Sequence, residues 1–293
     1  MYRIGIIGTE NSHALAFSKI INLPDPHTGK MTYPDVRVVG VFGDTENSRA
    51  IIAEAKADFI TENADDFFGK VDAMLITNRK GSLHTQYAMP FIEKGMPLFI
   101  DKPFTSDVGE AEKLIEAAKK SGSKLCGGSG CKLAYDATIL KNNVRELTAA
   151  GNMLSASINF SADPKSEYDG FYFYAPHLTE MALEIFGENV KSVYATENNG
   201  SRISIWKYDN YDVSLHFTKD AAASSAVIYS VNGNIMRNID ISMIYEREVR
   251  HFIHMLRTGE MPSSYERLVS PVKMIAAIEE SVKSGKMINM DAS

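Results

Sequence analysis

The feature that most constrains this chain is an order of elements. Through about residue 128, short apolar runs alternate with amphipathic stretches, the pattern of strands and helices wound into a parallel sheet. Residues 3–7 predict a buried strand, and Asn11 or Ser12 can cap a helix on which Ala14, Phe17, Ile20 and Ile21 recur at helical spacing. Further strands are predicted over 36–42, 71–76, 97–100 and 124–126. Helices are predicted over 48–56 and 84–94, and along the face Val108, Ala111, Leu114, Ile115 and Ala118, which Gly122 ends. Pro24, Pro26, Gly29 and Pro34 mark residues 22–35 as a surface loop.

After Ser129 the pattern changes. A helix over 133–150 leads to strands over 153–160, 192–196, 201–207, 212–218 and 224–231, joined in part by turns such as Asn198-Asn199-Gly200, which implies mostly antiparallel pairing. Helices over 243–257 and 269–283 close the chain. The expected fold class is therefore α/β: a Rossmann-like parallel sheet over residues 1–128, then an α+β domain over 129–293 with a largely antiparallel open sheet.

Composition narrows the function. With 44% hydrophobic and 23% charged residues the chain is globular, and its net charge of -6 argues against a nucleic-acid partner, which would need clustered Lys and Arg. Two cysteines, Cys126 and Cys131, are too few for a disulfide scaffold or a thiolate metal site, and their spacing is not C-x-x-C. The start lacks the pattern of a secretory signal and no apolar run is long enough to span a bilayer, so a cytoplasmic protein without a membrane partner is expected.

A strand followed by a glycine turn and a helix N-terminus is where a Rossmann unit binds pyrophosphate. Gly8, Thr9, Glu10 and Asn11 occupy that turn, but the G-x-G-x-x-G fingerprint is broken: Glu10 stands at the second glycine position and His13 at the third. Glu10 is expected to crowd and repel a pyrophosphate there, and Gly8 alone is equally consistent with a plain tight turn. Asp44, after the second strand, suits an adenosine ribose, or simply forms a turn. With no arginine immediately after it, it points to NAD rather than NADP.

The run Asp72-Ala73-Met74-Leu75-Ile76-Thr77-Asn78, His84, Glu93-Lys94-Gly95 and Pro97-Leu98-Phe99-Ile100-Asp101-Lys102-Pro103-Phe104 resembles the Gfo/Idh/MocA family of nicotinamide-dependent sugar and polyol oxidoreductases. The likeness continues through residues 170–187, including His177, and through Arg257 to Pro262. It implies a Rossmann domain, a substrate-binding and oligomerisation domain, and a substrate beside the nicotinamide. Lys102 matches the family's lysine, able to hold a substrate oxygen and stabilise alkoxide charge, with a surface ion-pair role as the alternative. Thr77, Asn78, Asp101 and Pro103 fall where the family meets its cofactor. Asp101 replaces the usual Glu.

His177 matches the family's histidine, a candidate general acid or base, with a structural, hydrogen-bonded histidine as the alternative. Many relatives carry an aspartate four residues earlier, where Phe173 stands. Tyr172, Tyr174 and Glu180 are candidate polar groups nearby. His84 matches a common family histidine and either packs beneath the cofactor loop or touches ligand. Glu248, His251 and His254 spread over too wide a helical arc for a metal and are expected on a solvated face, so no metal is expected. Gly127-Gly128-Ser129-Gly130 is expected to turn the chain between domains.

Together these readings predict an NAD-dependent oxidoreductase acting on a sugar, polyol or related hydroxylated small molecule, as a homo-oligomer. A non-catalytic small-molecule binding or sensing protein that keeps the fold is the alternative, and transient oxidation coupled to elimination is a related chemistry.

Overall fold

The computed structural model describes residues 1–290, which form two compact units: residues 1–128 with 245–269, and residues 129–244 with the chain from 270 on. The first unit is a six-stranded parallel sheet. Its strands are β1 (Tyr2–Ile7), β2 (Val36–Phe42), β3 (Phe59–Thr61), β4 (Ala73–Ile76), β5 (Leu98–Asp101) and β6 (Leu125–Gly128), in the order β3-β2-β1-β4-β5-β6. This is the doubly wound dinucleotide-binding order, which places a ligand crevice at the carboxyl ends of β1 and β4. Helices α1 (Ser12–Asn22), α2 (Glu46–Ala55), α3 (His84–Glu93) and α4 (Val108–Ser121) connect the strands. Gly122 ends α4 in the left-handed conformation, φ 78°, as its position predicts.

The second unit begins with a one-turn helix, Gly130–Leu133, and α5 (Tyr135–Ala149). Its strands are β7 (Met153–Ser161), β8 (Ser192–Asn198), β9 (Ser201–Lys207), β10 (Asp212–Thr218), β11 (Ser225–Ser230), β12 (Gly233–Asn238) and β13 (Ile288–Asn289), ordered β12-β11-β7-β10-β9-β8-β13. All its pairings are antiparallel except β7 with β10. Strict alternation in β9 and β10 turns Arg202, Ser204, Trp206, Val213, Leu215 and Phe217 inward. There Trp206, Val213, Leu215 and Phe217 join α6 (Ala175–Phe186) in one apolar core, while Ile203, Ile205 and, on β11, Tyr229 remain exposed.

Three short strands lie outside the predicted set: β3, β12 and β13. β12 carries Asn234, Arg237 and Asn238 and is mostly exposed at the sheet edge, so it has no apolar alternation to announce it. The closing helices are α7 (Ile244–Thr258) and α8 (Tyr265–Ser284). Val249, Phe252, Ile253 and Leu256 of α7 enter the core of the first unit with Ile4, Phe17 and Phe99, so residues 245–269 group with residues 1–128 rather than with the rest of 129–293. Glu248 is buried, not solvated as its spacing suggested, while His251 and His254 are exposed.

Gly127 belongs to β6 rather than to the turn after it. Its φ is +135°, and a Cβ there would lie 1.8 Å from the Ile100 carbonyl oxygen. Gly127→Ala combines a left-handed penalty of about 1–2 kcal/mol with that collision. Its melting temperature, read by circular dichroism, should fall by at least about 2–4 °C; an unchanged melt would show that β5 and β6 yield freely there.

Candidate active site

The β1–α1 turn closes on the end of β4. Gly8 has φ +104°, and a Cβ would lie 2.1 Å from the Asn78 nitrogen, so glycine is needed for backbone to pass backbone. Thr77 seals the contact: its N–H donates to the Ile7 carbonyl at 2.7 Å and its Oγ1 to the Gly8 carbonyl at 3.0 Å. Thr9 is buried and its hydroxyl meets Thr45 Oγ1 at 2.9 Å and Ser48 Oγ at 2.7 Å, while Asn47 Nδ2 donates to its carbonyl at 2.8 Å. This hydroxyl cluster fastens the first βα turn to the second.

Glu10 does not project as a bare charge. Its Oε1 accepts from Asn78 Nδ2 at 3.2 Å and from the Arg79 N–H at 3.1 Å, so the carboxylate bridges to the segment after β4. The expected crowding is corrected to this extent: the side chain has partners on the protein. Asn78 Oδ1 is buried with no hydrogen-bond donor among the described residues.

Asp101 is the hub of the unit's polar network. It is completely buried at the end of β5. Its Oδ1 accepts from the Lys102 N–H at 2.7 Å, and its Oδ2 accepts from Asn11 Nδ2 at 3.2 Å and lies 2.6 Å from His13 Nδ1, off the line of a straight N–H bond. Burial opposes ionisation of Asp101, but His13 and Lys102 outweigh it and hold the carboxyl below its ordinary range. Asn11 also caps α1, its Oδ1 accepting from the His13 N–H at 3.2 Å. The residue at the third glycine position and the Asp that replaces Glu are thus each other's partners. His13 further packs edge-on against Tyr245, ring centres 4.7 Å apart.

His84 is also wholly buried, with Nε2 2.9 Å from the Asn78 carbonyl and Nδ1 3.3 Å from the Phe104 carbonyl. Burial pulls its pKa down, against the opposing pull of the carbonyls that surround it. It packs beneath the loop and steadies it. Lys102 is almost fully buried and joined to Pro103 by a cis peptide. Asp44 is exposed, and α2 brings Arg49 Nη1 within 2.7 Å of its Oδ1, a surface pair that local reading of the Gly43-Asp44 turn missed.

In the second unit, His177 sits in the first turn of α6, nearly buried between Phe160 and Tyr174, ring centres 5.2 and 5.3 Å away. Its Nδ1 lies 2.7 Å from Ser129 Oγ and 3.3 Å from Cys131 Sγ. Glu180 accepts from the Ser129 N–H at 2.7 Å and from Lys132 Nζ at 2.7 Å. Phe173, at the position of the family aspartate, packs against Tyr168 and Tyr174, both 4.8 Å away between ring centres, and Tyr172 packs on the apolar core. Ser129, Cys131 and Lys132 were missed as site residues because their glycine-rich setting read as a linker; the available signal was a serine capping a one-turn helix.

The first unit fits a dinucleotide. α1 presents its N-terminus at the Gly8 turn, where only some of the first N–H groups can find partners within a helix, and Asn78 offers a buried acceptor that lacks a donor. The polar side chains that depart from the glycine fingerprint are bound to the protein.

A search of curated proteins finds no match. Over its whole length the chain superposes on a probable dehydrogenase from Thermotoga maritima at 16% identity and TM-score 0.81, covering 99% of this chain and 100% of that one. It is similar to GenD2 from gentamicin A biosynthesis in complex with NAD, at 13% identity, TM-score 0.83, and 99% and 96% coverage. It is also similar to scyllo-inositol dehydrogenase from Lactobacillus casei with bound NAD(H) and scyllo-inositol, at 13% identity, TM-score 0.79, and 99% coverage of both chains. At such identities the likeness establishes the fold.

Because breaking a buried ion pair costs about 3–5 kcal/mol, Asp101→Asn should lower the melting temperature clearly at pH 7. A depressed carboxyl stabilises the fold above its unfolded value, near 3.9, and loses that contribution as pH falls through the lower folded value. The variant's melting curve should therefore be flatter than the parent's below about pH 4, and parallel acid limbs would refute the assignment. Residues 2–128 match the model of the Gfo/Idh/MocA oxidoreductase family with an NAD-binding Rossmann fold, and the strand order of the first unit agrees with that match.

Proposed function

We propose that this chain is an NAD-dependent dehydrogenase that moves a hydride to or from a sugar, polyol or related hydroxylated small molecule. The observation that carries the reading is Lys102, a lysine buried at the carboxyl end of a Rossmann strand, whose backbone N–H donates to the Asp101 carboxylate. A buried lysine is unlike a solvated surface charge. The relatives with bound NAD and with scyllo-inositol support the cofactor and the substrate class.

When bound, the nicotinamide accepts or returns the hydride. Gly8, Thr9, Asn11 and the α1 N-terminus hold the pyrophosphate, Asp44 takes the adenosine ribose, and Thr77, Asn78 and Pro103 border the nicotinamide end. Lys102 donates a hydrogen bond to the reacting oxygen and stabilises negative charge as it develops there. His177 is assigned the role of general acid or base through Nε2, since Nδ1 faces Ser129.

NADH fluorescence titration tests the reading, with binding expected for NADH ahead of NADPH; absence of both would leave a binding or sensing protein. With polyols and their ketones as substrates, Lys102→Met should lower kcat about 10²–10³-fold and His177→Gln about 10²–10⁴-fold, with NADH affinity kept. Glu10→Gln keeps an acceptor for Asn78 and Arg79 but removes a negative charge beside the pyrophosphate turn, so it should tighten NADH binding severalfold.

The open face of the second unit's sheet, with Ile203, Ile205 and Tyr229 exposed, supports pairing of this chain with its own copy. Light scattering should give at least a dimer, and a monomer at micromolar concentration would overturn that assignment.

A further inference from the structure

The geometry assigns a positioning role to Ser129: its hydroxyl fixes the hydrogen of neutral His177 on Nε2, so the ring is set as a donor toward an oxygen that can only accept, the carbonyl form of the substrate. The functional half of this statement rests on the reading that His177 serves the reacting oxygen. The tautomer follows from the hydrogen-bond accounting at Ser129.

Ser129 is fully buried. Its N–H is committed to Glu180 Oε1 at 2.7 Å, and Glu180 is itself held by Lys132 at 2.7 Å, so the backbone at Ser129 is fixed. The Oγ accepts from the Cys131 N–H at 3.2 Å, which uses one of its two lone pairs. Its remaining partner among the described residues is His177 Nδ1, at 2.7 Å. If Nδ1 carried the hydrogen, it would point at the same Oγ, both lone pairs would be used, and the serine's own hydrogen would be buried without an acceptor. Such unmade bonds are costly in a protein interior. The arrangement that satisfies every group has Ser129 Oγ–H donating to Nδ1 and the imidazole hydrogen on Nε2. Cys131 Sγ, at 3.3 Å from Nδ1, is a weak partner and does not reverse this order.

The consequence is chemical. A carboxylate beside a histidine accepts only, so it holds the ring hydrogen on the near nitrogen and leaves the far one as a base. A serine whose other capacities are spent does the opposite. Here Phe173 stands four residues before His177, where relatives carry an aspartate, and the hydroxyl of Ser129 is the near partner of Nδ1. Neutral His177 therefore offers Nε2–H to a ketone or aldehyde oxygen. To take a proton from an alcohol at Nε2, the hydrogen must first sit on Nδ1, with Ser129 Oγ turned to accept it.

Nitrogen-15 NMR of histidine-labelled protein reads the tautomer directly, with the signal assigned by its loss in His177→Gln. At a pH where the ring is neutral, Nε2 should show the shift and coupling of a protonated ring nitrogen and Nδ1 those of a bare one. Ser129→Ala removes the donor to Nδ1, so the share of the Nε2–H form should fall toward that of an unconstrained imidazole, and Ser129→Thr, which keeps the hydroxyl, should restore the parent spectrum. With a ketone substrate and NADH, Ser129→Ala should lower kcat about tenfold, part of the roughly 10²–10⁴ that a positioned acid or base contributes, and threonine should recover it. A hydrogen on Nδ1 in the parent protein, or a tautomer that Ser129→Ala leaves unmoved, would overturn the assignment. An NADH titration of the same sample separates the two ideas: failure to bind NADH sinks the dehydrogenase reading, while the ring's tautomer is still read.

Discussion

A single buried carboxylate organises the first unit. Asp101 stands at the end of β5 without solvent, and the energy of keeping a charge there has to come from partners. They come from two directions: the Lys102 N–H in the next peptide, and the side chains of Asn11 and His13 at the start of α1. Because Asn11 is at the same time the cap of α1, the charge that positions Lys102 also sets where the helix begins and where its positive end points. Moving any one of these groups would displace the others.

Much of this fold was legible because periodicity is a long-range signal. The strands β2, β9 and β10 have the bounds that their apolar spacing predicts, and the change of pattern at Ser129 coincides with the passage from one compact unit to the other. What was not legible had no periodic signature. β12 and β13 are exposed or very short edge strands, recruited by neighbours already in place. The return of α7 to the first core follows from tertiary packing: its apolar stripe identifies a buried face, but nothing in a stripe names the surface that buries it.

The candidate site shows the same division. Gly8, Thr77, Lys102 and His177 stand out because their residue types and sequence context carry chemistry. Ser129 does not, since a serine among glycines reads as a linker, and Glu180 was legible only as a polar group one helical turn from His177, without its partner. Only the fold puts Glu180 on the Ser129 N–H and Ser129 on the imidazole. Arg49 is a like case, five residues from Asp44 in sequence and delivered to it by the first turn of α2.

The broken glycine fingerprint takes on a different meaning once partners are assigned. Read as a string, Glu10 and His13 are two independent losses, each removing a close approach that glycine would allow. In the fold each has a polar partner elsewhere in the unit. Glu10 holds Asn78 and the Arg79 N–H, and so ties the first turn to the β4 segment through a side chain. His13 faces the shortened Asp101, whose smaller side chain leaves the carboxylate in reach of both an imidazole and the Asn11 amide. The turn is therefore held by polar side chains where glycines would have held it by backbone proximity, and it still ends with the positive pole of α1 directed at the crevice beside β1 and β4.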